Sequence, residues 1–295
     1  MTRRKPFSGV EQPPRSRQTP AVSTDPFTFR WWVDTAGHEW KKDAATSKFH
    51  LVARNVPGSP LKLYYPLEKN PGLFHDFSAL RGKDDILQFA NLYGTLFGDR
   101  ILPRVHPSTL ASLALWETLI ADMRIVVRLW ESIVDHNVKE LAHIVTRGMI
   151  AGVEGVGYHL RTPRRDASPW LWLSTYGVPC PFKRDDVLLP ARYALQTEVN
   201  ARLDDPEIGL SSPALAWTPD QKQRITITPP HLLAALWLQF AQALTGSYQL
   251  KRCPGCGNYF QAGPGGRRSD AETCSNSCRQ RKARKAEDLA LRFRD

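Results

Sequence analysis

Between residues 108 and 134, apolar side chains recur three and four positions apart: Trp116, Leu119, Met123, Val126, Trp130 and Ile133. Alternating steps of three and four keep a residue on one face of an α-helix, so the spacing predicts a long helix with a continuous apolar stripe. Such a stripe suits a packed core, and a seam between two copies of the chain is the alternative. A second helix is expected over residues 83–98, with Asp84 and Asp85 in its first turn and Gly98 at its end. A third, weakened by glycines, is expected over Val138–Val156, and a fourth over Asp185–Leu203. Further on, the stretch "RITIT" from Arg224 reads as a short strand. Pro229 and Pro230 then open a helix that Gly246 stops. Leu232, Leu233, Leu236, Trp237, Leu238 and Phe240 leave that helix no polar face, so it belongs inside the molecule.

Extended segments come first in the chain. Phe27–Val33, Phe49–Val56 and Leu61–Leu67 are rich in aromatic and β-branched residues, and the last two are separated by "PGSP", a turn signal. Residues 160–188 are irregular and rich in Pro, Trp and Arg. Residues 1–24 are rich in Pro, Arg, Ser and Gln with few apolar anchors, which predicts a flexible basic arm. The expected fold class is therefore mainly α with a small N-terminal β portion (α+β). A mostly helical domain is expected over residues 25–248 and a separate module over 249–295.

Composition supports a sizeable core: 42% of the 295 residues are hydrophobic, with nine Trp. No apolar run approaches the roughly 18 residues that would span a bilayer, and no apolar stretch of a secretory signal follows the basic start. A cytoplasmic location is the expectation. The net charge of +11 is distributed unevenly. Residues 1–24 hold five Lys/Arg against one acid, and residues 251–295 hold eleven against five. The 226 residues between them sum to only +1. Affinity for a polyanion would reside at the ends.

The chemistry concentrates at the C-terminal end. Four of the five cysteines fall within 26 residues, spaced Cys253-x2-Cys256-x17-Cys274-x3-Cys278. Cys180 stands alone in "GVPCPF" and reads as an inert cysteine. Clustered thiols in a reducing compartment point to a metal and not to a disulfide framework. Cys253 and Cys256 would sit on one tight turn, with Gly255 between them. Ser275 is a suitable helix cap, placing Cys278 in the first turn of a helix and Cys274 just before it. Four thiolates favour Zn²⁺ over Mg²⁺ or Ca²⁺, and an iron–sulfur cluster fits less well. With four protein ligands the site would be closed, hence structural. A knuckle, a short hairpin and a cysteine pair at a helix start describe a treble-clef-like zinc finger. Tyr259 and Phe260 are expected to pack beneath the metal. The Gly-rich "QAGPGGRR" lacks the Lys of a phosphate-binding loop and reads as the hairpin tip.

The helix that begins at the last cysteine carries Arg279, Arg281, Lys282, Arg284 and Lys285 within seven positions. Cations on most of the circumference cannot be buried. Together with Arg267 and Arg268 they suit contact with nucleic acid, DNA more than RNA. A merely solvated face is the plain alternative.

These residues support a resemblance. "RCPGCGNYFQ…RRSDAETCSNSCRQRKARKA" is similar to the C-terminal zinc finger of bacterial CGNR-type proteins, in which the finger follows a mostly helical ABATE-like domain. "LFHDFSALRGKDDILQFANLYG" is loosely similar to the start of that domain. The family's name motif begins at its last cysteine, where this chain has Cys278-Arg279-Gln280-Arg281. The resemblance implies a zinc-ligand role for Cys253, Cys256, Cys274 and Cys278 and a role in transcriptional regulation. Motifs of known enzymes are missing: there is no HExxH, GxSxG, Walker loop or GxGxxG after a strand. Three readings stand. One is a DNA-binding regulator whose helical domain senses a ligand or forms a homodimer. The second is an RNA-binding or ribosome-associated zinc protein. The third is a ligand-binding or enzymatic helical domain with a purely structural zinc cap.

Overall fold

The computed structural model describes residues 29–54, 60–98, 112–150, 153–158, 171–173, 185–205, 214–217, 223–246, 249–257, 259–263 and 266–292. The basic arm over 1–24, Cys180 and most of 160–188 lie outside them.

Two short antiparallel ribbons open the described chain. β1 (Trp31–Asp34) pairs with β4 (Leu61–Tyr64), and β2 (His38–Lys42) pairs with β3 (Phe49–Ala53). The β2–β3 turn is held by Asp43, whose carboxylate accepts from Ala45 N at 2.8 Å and Thr46 Oγ1 at 2.9 Å. That local bonding is what Asp offers a turn. β2 was not evident from the sequence, because His38–Lys42 has only one large apolar residue, Trp40.

Helices follow: α1 (Pro66–Lys69), α2 (Leu73–Ala79), α3 (Gly82–Tyr93), α4 (Leu113–Val134) and α5 (Val138–Ile144). α3 stops five residues before the expected Gly98. Gly94 takes a left-handed φ of +85°, and the chain then turns Leu96 and Phe97 into the core. The helix expected over Val138–Val156 ends at Ile144. Beyond it, β5 (Val145–Ile150), β6 (Val153–Tyr158) and β7 (Leu171–Leu173) form a three-stranded antiparallel sheet. Val145, Thr146, Ile150, Val153 and Val156 are β-branched and favour strands, which outweighs the helical start of the segment. With β8 (Ala214–Trp217) and β9 (Gln223–Thr226), this means that strands are not confined to the N-terminal portion. The α+β class stands.

α6 (Leu188–Leu203) and α7 (Leu232–Leu244) complete the helical body. α2, α4, α6 and α7 enclose one continuous core. Trp116, Leu119, Met123, Val126 and Ile133 of α4 are all buried, and Trp130 packs against them, so the stripe is a core seam. α7 buries every residue from Leu232 to Phe240, as its composition requires. His231 caps it, with Nδ1 accepting from Ala234 N at 3.0 Å. Phe240 lies 5.1 Å from Phe74 and 5.8 Å from Trp130, ring centre to ring centre. Gln239 accepts from Phe74 N at 3.1 Å and donates to Asn70 O at 2.7 Å, which ties α7 to the entry of α2. An ion pair lies within the core: Arg202 of α6 meets Asp122 of α4 at 3.2 Å, with the guanidinium 6.0 Å from the Trp237 ring.

The C-terminal segment adds β10 (Gln249–Arg252), β11 (Tyr259–Ala262) and α8 (Asn276–Arg292). Among the described residues no helix is long and apolar enough to cross a membrane.

Candidate metal centre and its cationic helix

β10 and β11 are antiparallel partners, so the Cys253–Cys256 turn is itself the bend of a β-hairpin. Pro254 and Gly255 close the bend, and Gly257 N donates to Cys253 O at 2.7 Å. After β11 the chain turns tightly, with Gly263 N bonded to Arg267 O at 2.7 Å and Arg267 N to Gln261 O at 2.9 Å. It then loops to Cys274 and enters α8. Ser275 caps that helix as expected: its Oγ accepts from Cys278 N at 3.1 Å, and its carbonyl accepts from Arg279 N at 3.1 Å.

This path brings four sulfur atoms together. The Sγ atoms of Cys253, Cys256, Cys274 and Cys278 all lie within 4.8 Å of one another, and none is in a disulfide. Cys256 and Cys274 stand 3.5 Å apart, as do Cys274 and Cys278. A tetrahedral ion with bonds of about 2.3 Å to sulfur would need S···S separations of about 3.8 Å, inside this range. Gly255 lets the centre close. A Cβ there would lie 2.7 Å from Cys278 O, so any larger residue would push the knuckle off the helix start.

The electrostatics of two of the thiols, Cys253 and Cys274, also suit a cation. Burial pushes the Cys253 thiol up, but the backbone N–H groups of Cys274, Gly255 and Cys256 outweigh it and bring the group down to about 6. Burial pushes the Cys274 thiol up as well, and the surrounding sulfurs of Cys256, Cys278 and Cys253 raise it further, to about 12. One thiolate is favoured and a second beside it is opposed. A divalent cation removes that conflict, because it neutralises the charge that accumulates.

The aromatic pair divides. Phe260 is buried with Cys253, Ala262 and Cys278 beneath the centre, as expected. Tyr259 faces the other way and joins the module to the helical body. Its ring lies 4.4 Å from that of His75, and its hydroxyl donates to Glu131 at 3.4 Å. His75 Nε2 reaches the same carboxylate at 3.3 Å. Gly72 makes room for this contact, since a Cβ there would come within 2.5 Å of Tyr259 Cβ. No local sequence signal identifies it, because its halves lie on α2, α4 and β11.

The seven expected cationic contacts also separate by role. Arg267 donates from Nε to Cys274 O at 2.9 Å, and Arg281 donates to Gly255 O at 3.3 Å. Both brace the backbone around the cysteines. Arg268 pairs with Asp270 at 3.3 Å, and Lys282 pairs with Glu272. Arg279 and Arg284 are exposed and make no side-chain hydrogen bond or ion pair among the described residues. Lys285 lies on α8, and its side chain is outside the described residues.

Comparison of the chain with family models, curated proteins and solved structures finds no match in any of the three.

Proposed function

We propose that Cys253, Cys256, Cys274 and Cys278 hold one structural Zn²⁺ in a treble-clef-like finger, and that the finger presents α8 to nucleic acid. The observation that carries this is the junction at Cys278. A set of four thiols ends in a helix on which Arg279 and Arg284 are exposed and make no side-chain hydrogen bond or ion pair among the described residues. Zinc there would have no open position, so it would supply folding energy and no catalysis. On this reading the protein is a cytoplasmic DNA-binding transcriptional regulator and not an enzyme. The helical body then serves as a sensing or dimerisation domain, as the resemblance to CGNR-type proteins implies.

The test uses the full-length protein. Metal analysis of the purified chain is expected to give one zinc per molecule. Fluorescence anisotropy with labelled duplex DNA and single-stranded RNA is expected to show binding that falls steeply with salt. Four or five phosphate contacts would give a slope of log K against log salt of about −4. Absence of binding to either polymer at low salt overturns the reading, and preference for RNA at equal salt replaces it with the RNA-binding alternative.

A further inference from the structure

A cleft of about 610 Å³ opens between the 267–273 loop and the first two turns of α8. One wall is the helix face that carries Asn276, Arg279 and Lys282, each three residues after the last. The other wall holds Arg268, Asp270 and Glu272. α8 begins in this cleft, so the N–H groups of Asn276 and Ser277, which have no acceptor within the helix, and the positive end of the helix dipole add to its cations. That is the chemistry that binds phosphate at a helix start. Asn276 to Lys282 spans about 9 Å of helix, enough for a short run of one strand's phosphates.

We propose that this cleft seats the phosphodiester backbone, and that Asp270 and Glu272 are built-in competitors that nucleic acid displaces. The proposal rests on the nucleic-acid reading above and adds which surface binds and what restrains it. Two of the cleft's cations are already engaged, Lys282 by Glu272 and Arg268 by Asp270. These four side chains are between 47% and 87% exposed, so the pairs contribute little to stability. A phosphate, with its full charge and several acceptor oxygens, replaces each acid at small cost. Among the described residues Arg279 has no such competitor, and it makes the first contact. The acids hold the cleft's potential down, so that only a polymer presenting several phosphates together occupies it.

The test compares full-length, zinc-loaded variants by anisotropy on the same duplex and the same RNA over a series of salt concentrations. Glu272→Gln is expected to tighten binding several-fold, more than Asp84→Asn, which removes the same charge from α3. Arg279→Ala is expected to weaken binding about tenfold and reduce the salt slope by about 1, more than Arg284→Ala does. Asp270→Asn takes the place of Glu272→Gln if the latter fails to hold zinc. If the wild-type protein binds nucleic acid but removing either acid changes nothing, or Arg284→Ala costs as much as Arg279→Ala, the cleft is wrong and the reading above survives. If the wild-type protein binds neither polymer, both fall together.

Discussion

Arg281 and Arg279 are two residues apart on one helix, yet they do different work. Arg281 turns back to the Gly255 carbonyl and closes the knuckle against α8, whereas Arg279 points into the cleft. Nothing in "CRQRKARK" separates them, because the distinction depends on where the hairpin returns. The cysteines themselves were legible, since ligand chemistry fixes both residue type and spacing. On the zinc reading, the buried Cys278 is a ligand whose replacement has a definite cost. Cys278→Ser exchanges a soft thiolate for a hydroxyl at the junction of knuckle and helix. Even changes that only support a ligand cost 10- to 100-fold in metal affinity. Cys278→Ser is expected to cost at least that much, read by competition with a chromogenic chelator, while the helical body keeps its thermal transition. Tyr259 shows the opposite limit of legibility. It follows a knuckle just as Phe260 does, and only the position of α2 and α4 decides that one ring packs against the cysteine cluster and the other faces His75.

Among the elements, α4 and α7 were legible because their signals are redundant. α4 repeats apolar residues at helical spacing along its length, and α7 is apolar on every face. α3, α5 and β5 were harder because there a local preference meets a tertiary one. Residues 95–97 could extend α3 by propensity, but burying Leu96 and Phe97 beside α7 requires the chain to leave the helix at Gly94, and Leu233 N bonds to Leu96 O at 3.2 Å across that junction. Val138–Ile144 is helical, whereas Val145–Ile150 and Val153–Tyr158 pair as antiparallel strands, with β-branched Ile150 opposite Val153. The seam on α4 yields a stability prediction. Met123 is fully buried at its middle, facing the other core helices. Met123→Ala removes three heavy atoms and leaves a cavity, and is expected to cost about 2–5 kcal/mol, seen as a lower urea midpoint with an unchanged slope. An equal substitution at exposed Leu92 is expected to cost far less, which separates burial from helix propensity.

At the scale of the molecule, the connection between body and finger includes a titratable group. Glu131 of α4 receives His75 of α2 and Tyr259 of β11, and the hydrogen bond from His75 is the main cause that holds its carboxyl below the ordinary value of 4.5. The ionised carboxylate is therefore favoured in the docked state relative to the separated one. Its contribution is complete above pH 4.5 and is lost as pH falls through the lower, docked value. On the zinc reading acid would also release the metal, so the effect must be read as a difference. Hydrogen exchange of β10 and β11 is the direct measure, comparing the wild-type protein with Glu131→Gln, which cannot ionise. At neutral pH the variant is expected to exchange faster at these strands, with the α4 core unaffected. The gap is expected to close as pH drops below 4.5, because the wild-type carboxyl becomes protonated and the two proteins become alike there. A gap that stays constant through that range would mean that shape and not charge holds Tyr259 in place. Equal exchange at neutral pH would mean that Glu131 does not hold the finger to the body, and that other contacts, such as Leu250 against the main core, do so.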